Sequence, residues 1–442
     1  MSQMNLKEKL VNDFAQYEAS LNGAAQSDLH QIRRTAINSF DALGFPTVKQ
    51  EDWRFTNLSA ISKKSFHQTL SSFESETEID LTKFLIPNLE ASLLVFENGV
   101  YRKDLSSIKK ENESIIVSNL KTAFENSAEL IVKHYTKYAD HKNEALVALN
   151  TGLAQDGLFV YVPKSGVVQH PVYVLHIANT KGKAVLSSPR NLIIGEANSQ
   201  VKVIQHYVSL DSSGASFSNT VTEIVGNEKA IIENYIVQDE NENATNITET
   251  QSHLSKESYI YCHNYSLEGG LIRNKTNMVV ADEHCEAHMY GAYVLNENQH
   301  ADNRSLVDHN SANTYSQELY KGVLGGKSKG VFNGRIMVRR DAQKTNAYQT
   351  NRNILVSDKA QVFTKPQLEI FADDVRCSHG CTIGQLDEDA IFYLRSRGLS
   401  LQKAKTYLLK AFVGEVVLKV TIDSLKDYLV EKIDEKIQGM MV

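Results

Sequence analysis

Apolar residues recur in three rhythms along this chain. Near the start, Leu6, Leu10, Phe14, Tyr17 and Leu21 follow one another at steps of three and four, which places them on one face of an α-helix. Gly23 is the expected stop. Leu29, Ile32, Ala36 and Phe40 repeat the stripe, with Ser27 as the expected N-cap and Gly44 and Pro46 as exit signals. A further amphipathic helix is expected from about 118 to 137. Between these helices lies Glu51-Asp52-Trp53-Arg54-Phe55-Thr56, which holds the chain's single tryptophan, expected to anchor packing between helices.

From 157 to 375 the rhythm shortens. Runs rich in β-branched and aromatic residues, such as those beginning at Leu158, Val201 and Ala230, alternate with polar clusters centred near Asn198, Ser213, Asn227, Glu242, Lys256, Gly270, Glu283, Glu297, Ala312, Gly326, Ala342 and Asp358. These centres fall about 13–16 residues apart, a regularity that points to stacked strands of a solenoid, a sandwich or a propeller. Tight Asn-Gly and Asp-Gly turns do not join the runs, which disfavours hairpins and favours a parallel β-helix whose coils bury their apolar faces on their neighbours. After Gly384 helical spacing returns. Asp387 caps one expected helix, which ends at Gly398. Ser400 caps a second, with Ala404, Leu408, Ala411, Phe412 and Val416 on one face, and Ile422, Leu425, Leu429 and Ile433 mark a third. This last bundle is placed to cap the solenoid or to dock a partner. The expected architecture is mainly β: an N-terminal helical domain (1–156), a parallel β-helix (157–375) and a C-terminal helical domain (376–442).

Composition narrows the function. The 442 residues carry a net charge of −6, which argues against sequence-independent binding of nucleic acid. The first residues lack a signal-peptide core and no apolar run is long enough to span a bilayer, so the expected location is cytoplasmic, away from membranes. Four cysteines do not make a disulfide framework, and two of them crowd into one short window.

That window, Asp374-Val-Arg-Cys-Ser-His-Gly-Cys381, carries the strongest chemical signal. On an extended strand Cys377, His379 and Cys381 leave the same face, roughly 7 Å from one to the next. Thiolate sulfur and imidazole suit iron, an iron–sulfur cluster or zinc. Three donors make an incomplete site, to be completed from elsewhere in the fold, from solvent or from another chain; the alternative is an exposed strand whose small thiols simply pack. Other patches carry less. His284-Cys285-Glu286-Ala287-His288 reads as a polar solenoid face rather than a metal site. Gly325-Gly326-Lys327-Ser328 lacks both the first glycine and the following helix of a phosphate-binding loop, and reads as a turn between coils. This chain is therefore not expected to hydrolyse ATP. Arg339-Arg340 reads as a solvated pair.

Three runs carry a resemblance: Gln349-Thr-Asn-Arg-Asn-Ile-Leu-Val-Ser, Lys365-Pro-Gln-Leu-Glu-Ile-Phe-Ala-Asp-Asp-Val-Arg-Cys-Ser-His-Gly, and Gly384-Gln-Leu-Asp-Glu-Asp-Ala-Ile-Phe-Tyr-Leu-Arg-Ser-Arg-Gly. Together with Glu51-Asp-Trp-Arg-Phe-Thr they resemble the SufB/SufD family of iron–sulfur cluster assembly scaffolds, and look more like its SufD branch. The resemblance implies a right-handed parallel β-helix between helical domains, and a non-catalytic subunit that pairs with a SufB-like paralogue and docks a SufC-like ATPase. It implies that Cys377 and His379 ligate iron or a transient cluster at the shared interface. Cys381 departs from the usual form of the motif and is either a third donor or an incidental thiol. Phe392, Tyr393 and Phe412 fall on the implied ATPase-docking surface. The resemblance leaves open a homodimer when SufB is absent. Reduced flavin is associated with the family's complex, but no residue here is assigned to it. Two rivals stand beside this reading: a β-helix enzyme cleaving acidic polysaccharides, and a purely structural subunit that touches no metal.

Overall fold

The computed structural model describes residues 5–21, 25–68 and 78–441. Its centre is a parallel β-solenoid in which consecutive strands alternate between two facing sheets. The first sheet runs from Leu158–Val162 and Arg190–Gly195 through Ser216–Gly226, Ala244–Leu254, Leu271–Val280, His300–His309 and Lys329–Val338 to Gln361–Ile370. The second runs from Ser92–Glu97 and Val172–Ala178 through Gln200–Ser209, Ile231–Asp239, Tyr259–Glu268, Glu286–Leu295, Tyr315–Leu324 and Asn346–Leu355 to Arg376–Gly384. Strand pairing is parallel throughout these runs and becomes antiparallel only at the N-terminal end, where Ile116–Asn119 meets Leu158–Val162 and Val100–Tyr101 meets Ser92–Glu97. The polar clusters expected at the coil boundaries are the turns between strands. Gly326, in one of them, has φ +55°, and Glu297 in another has φ +52°, the left-handed geometry that tight turns require.

The space between the sheets is the principal core. Val160, Val174, Ile193, Val203, Ile232, Ile260, Ile272, Met289 and Phe332 point inwards and are fully buried. Strands buried on both faces explain the near-continuous apolar runs of the sequence. Secondary structure crosses both junctions expected between domains: Ser92–Glu97 pairs in register with Val172–Ala178, and Arg376–Gly384 with Asn346–Leu355.

The N-terminal helices form where the stripes place them, but in the second the buried face is rotated to include His30, Arg33 and Ile37, leaving Leu29 and Ile32 half-buried. Leu6–Ser20 buries Leu6, Leu10 and Phe14, while Asp28–Leu43 is capped by the Ser27 side chain and buries Ala36, Ile37 and Phe40. The expected stop at Gly23 lies outside the described residues. The amphipathic stretch forms Leu120–Val132. The helix Ala145–Leu153 was not anticipated: it is buried on almost every side, so no polar face announces it.

The C-terminal helices do not cap the solenoid. Leu401–Val417 and Asp423–Met440 fold back along the outer face of the second sheet, where Leu409, Val413, Val416, Leu425 and Leu429 bury themselves against Tyr235, Tyr265, Tyr290 and Leu319. The first of these helices buries Ala404, Leu409, Val413, Val416 and Val417, so Ala404 and Val416 of the expected face are buried while Leu408 and Phe412 are half-buried and Ala411 is exposed. The sheet face dictates which side is buried. It is a run of tyrosines and histidines in contact, Tyr235 on His263 at 4.4 Å and Tyr261 on His288 at 4.5 Å between ring centroids. Because the helices lie alongside, the last strand of each sheet has a partner on one side only. Among the described residues, no helix is long and apolar enough to cross a membrane.

Candidate functional site

The solenoid ends in an open edge, and the sequence motif lies on it. Arg376–Gly384 pairs with Asn346–Leu355 so that Cys377 stands over Ala347, His379 over Gln349 and Cys381 over Asn351. Ala347, Gln349 and Asn351 are all buried and face the inside of the solenoid. Residues paired in a parallel sheet project to the same face, so the three donors point the same way, over the open end of the coil stack. Among the described residues, no further coil covers them. His379 and Cys381 are exposed, and Cys377 is half-buried beside Ala347, Ala372 and Val375.

The floor beneath the donors is polar and ordered. Asn351 Nδ2 donates to the Tyr293 hydroxyl at 3.0 Å, and Asn353 Nδ2 to Asn351 Oδ1 at 2.8 Å. Gln349 Nε2 donates to Glu318 Oε1 at 3.2 Å, and the Ser305 hydroxyl holds the other oxygen of Glu318. Burial pushes Glu318 up to about 7. None of these neighbours puts a fixed cation or carboxylate among the donors.

Burial also separates the four cysteines into two kinds. Cys262 sits in the lumen with its pKa pushed up to about 12, and Cys285 is buried in a turn, its Sγ 2.9 Å from the Ser255 carbonyl. Both are packing residues. Cys377 and Cys381 alone reach the surface. Partial burial raises the Cys377 pKa as well, so its sulfur is held as a thiol that a metal must deprotonate on binding. An extended strand keeps the donors in line rather than converging on one point. Consistently, among the described residues no three His, Cys, Asp or Glu side chains are gathered closely enough to hold a metal ion unaided. The donor types fit iron or a nascent cluster; the coordination number does not close within one chain.

The second patch is occupied by its own neighbours. His284 is in the left-handed turn at φ +58°, Glu286 Oε2 and His288 Nε2 are 3.0 Å apart, and His288 stacks on Tyr261. Arg339 pairs with Asp308 at 2.8 Å on the surface. Of the three aromatic residues assigned to docking, Phe392 and Tyr393 stand out from the helix Glu388–Ser396 at 74% and 57% exposure. Phe412 is half-buried: its carbonyl accepts from Lys321 Nζ at 2.8 Å, and the same ammonium lies 4.4 Å from the centre of its ring.

A feature that sequence reasoning missed braces the terminal strand of the first sheet. The Glu51–Thr56 segment is a strap laid across the outer face of the first sheet. Trp53 covers Arg273, Thr56 Oγ1 donates to Asp302 Oδ2 at 2.6 Å, Lys329 Nζ donates to the Phe55 carbonyl at 2.6 Å, and Phe55 stacks on Phe363 at 4.3 Å. Glu51 pairs with Lys365 at 2.6 Å on the terminal strand itself. Trp53 thus packs at the margin of the helical cluster and against the solenoid, rather than between helices alone. Contacts between residue 53 and residue 273 leave no local trace in the sequence.

Family models match the sequence along almost its whole length. Residues 176–412 match the model described as SUF system FeS cluster assembly, SufBD core domain, and residues 4–174 match the SufBD protein N-terminal region. The chain belongs to the SufBD family. Several SufBD relatives share modest identity over nearly full length. A SufBD family protein of Synechocystis, named for iron–sulfur cluster assembly, is 29% identical over 93% of this chain and 92% of its own. The iron–sulfur cluster assembly protein SufD of Escherichia coli is 28% identical over 94% and 93%, and that of Bacillus subtilis 25% identical over 93% and 94%. The SufBD core match runs through the floor residues and the whole Cys377–Cys381 edge, and the N-terminal match contains the strap.

Proposed function

We propose that this chain is a SufD-like, non-catalytic scaffold subunit on which iron–sulfur clusters are assembled. One observation carries the reading: its two surface thiols and an exposed imidazole line the final strand of the solenoid, whose outer side has no partner strand. An unpaired parallel edge presents free backbone donors and acceptors to a second chain. A SufB-like paralogue abutting this edge supplies the missing ligands, and a second copy of this chain takes its place when the paralogue is absent. Cys377 and His379 ligate the incoming iron, Cys377 losing its proton to solvent as the metal binds. Cys381 stands one strand step further along the same face and serves as a third donor or none.

Low coordination by any one chain suits a scaffold that must release its product, since a closed four-cysteine site retains a cluster. The C-terminal helices, with Phe392 and Tyr393 exposed and Phe412 at the flank, form the docking surface for a SufC-like ATPase. Nucleotide-driven closure of two such ATPases pulls on helices that lie along the second sheet, and so opens or closes the edge to iron and sulfide. ATP hydrolysis belongs to the partner; reduced flavin, if it enters the complex, is not assigned to any residue here. Affinity purification of the full-length chain from its own cell tests the reading. It should retain a SufB-like chain and a SufC-like ATPase, and Phe392→Ala with Tyr393→Ala should release the ATPase alone. Recovery of the chain with neither partner contradicts it.

A further inference from the structure

Gln349 is the floor residue directly beneath His379, and its side chain is only half satisfied. Its amide nitrogen is committed to Glu318, which Ser305 holds in turn. Its Oε1 is buried and accepts no hydrogen bond. The residue is 1% exposed, so water does not relieve that carbonyl. An unpaired buried carbonyl costs on the order of 1–3 kcal/mol, and such groups call for an explanation.

The fold makes deliberate room for this amide. A Cβ on Gly334, across the lumen on the first sheet, would lie 2.4 Å from Gln349 Nε2 and 2.8 Å from its Cδ. Any side chain there would displace the amide. On the next coil the residue in register with Gln349 is His379, whose ring is exposed and carries an N–H. A metal-ligating histidine ordinarily donates its second ring N–H to a neighbouring acceptor, which fixes the tautomer and the ring plane.

We propose that Gln349 is a positioning residue for the assembly site: when the open end is closed by a partner, its Oε1 accepts the N–H of His379 and leaves the other imidazole nitrogen free for metal. Ser305, Glu318 and Gln349 then form a hydrogen-bonded line across successive coils that ends on the ligand. This inference rests on His379 being a ligand.

Cobalt(II) alone is a suitable probe, because its visible bands report ligand identity and geometry without any cluster being made. The full-length chain is titrated within the complex it forms with its partner subunits, as wild type, Gln349→Met, Gln349→Glu, His379→Ala and the Gln349→Met/His379→Ala pair. Methionine keeps the length and removes the acceptor; glutamate keeps an acceptor oxygen. Gln349→Met is expected to weaken cobalt binding about 10-fold or more and to shift the bands. Gln349→Glu should stay near wild type, and Gln349→Met should add nothing once His379 is alanine. If Gln349→Met fails to fold, Gln349→Ser, too short to reach the ring, carries the same expectation. Wild-type affinity in the folded variant lacking the acceptor, beside a weakened His379→Ala, overturns the positioning role. Equal losses with and without His379 overturn it too. Unchanged binding by His379→Ala instead removes the ligand reading, and this inference with it.

Discussion

The indole of Trp53 lies over the guanidinium of Arg273, 3.8 Å from ring centre to Cζ, joining a residue near the start of the chain to the middle of the solenoid. Arg273 is buried and pairs with Asp302, which also accepts from Thr56. The strap therefore closes over a charge pair and shields it from water. Trp53→Ala is expected to cost about 2–3 kcal/mol, from lost cation–π and packing contact at a half-buried site. Denaturant titration checks it. Hydrogen exchange should quicken at 361–370, where the strap reaches the terminal strand through Phe55 and Glu51, and unchanged exchange there would separate the strap from the edge.

A second buried pair holds the other end. Glu223 and Arg190 are both fully buried, 2.7 Å apart, and Glu223 also accepts from the backbone N–H groups of Thr136, Tyr138 and Ala139. Glu223→Gln leaves the Arg190 charge without its counter-ion inside the protein. The expected loss is roughly 3–5 kcal/mol, read as a fall in the unfolding midpoint, with the open edge and its metal binding untouched in whatever fraction remains folded.

Lys321 fixes the helix Leu401–Val417 to the second sheet through the Phe412 carbonyl and Glu415. Lys321→Met keeps the apolar stem and removes those bonds. It is expected to raise hydrogen exchange across 401–417 and weaken docking of the ATPase, with the solenoid strands still protected. Equal deprotection of both would show that the helix and the sheet unfold as one unit.

Acid should destabilise the protein well above the ordinary carboxylate range. Burial lowers His176 and His263 to about 3, and His206, His300 and His309 to about 4. A histidine depressed in the folded state contributes stability that is complete above its unfolded value near 6.5 and is lost as pH falls towards the folded one. Burial raises Glu240 and Glu318 to about 7 and Asp156 to about 6, and these act oppositely: their contribution is present at low pH and lost as pH rises through those values. Burial lowers His134, His141, His253 and His288 as well, so between about pH 6 and 4.5 the histidines outnumber the three opposing carboxyls. The balance is a net loss of stability as pH falls through this range. The melting temperature should fall between pH 6 and pH 5; a flat or rising value over that interval contradicts this balance.

The solenoid was legible because its period is local: each strand and turn repeats the same demand on alternating residues, and twelve polar clusters marked the turns. Helix caps such as Ser27 and Ser400 were legible for the same reason. The strand carrying Cys377, His379 and Cys381 could be read from alternation alone. What could not be read was lateral. The sequence does not say that the final helices lie beside the solenoid instead of across its end, because Leu409 and Val413 satisfy either arrangement. Nor does it pair Trp53 with Arg273, or set Gln349 beneath His379, since each joins residues far apart in the chain. The coil period offers a partial route: stepping back one coil from His379 leads to the neighbourhood of Gln349.

The central claim is that Cys377 and His379 together form this chain's share of an assembly site at the solenoid's open end. Its most direct test is anaerobic reconstitution of the purified complex with ferrous iron and sulfide, followed by visible absorbance, for wild type, Cys377→Ala and His379→Ala. Both variants are expected to assemble normally with their partners and hold their melting temperatures while cluster absorbance falls severalfold. Wild-type cluster yield in both variants would contradict it and leave a subunit that only braces its partners.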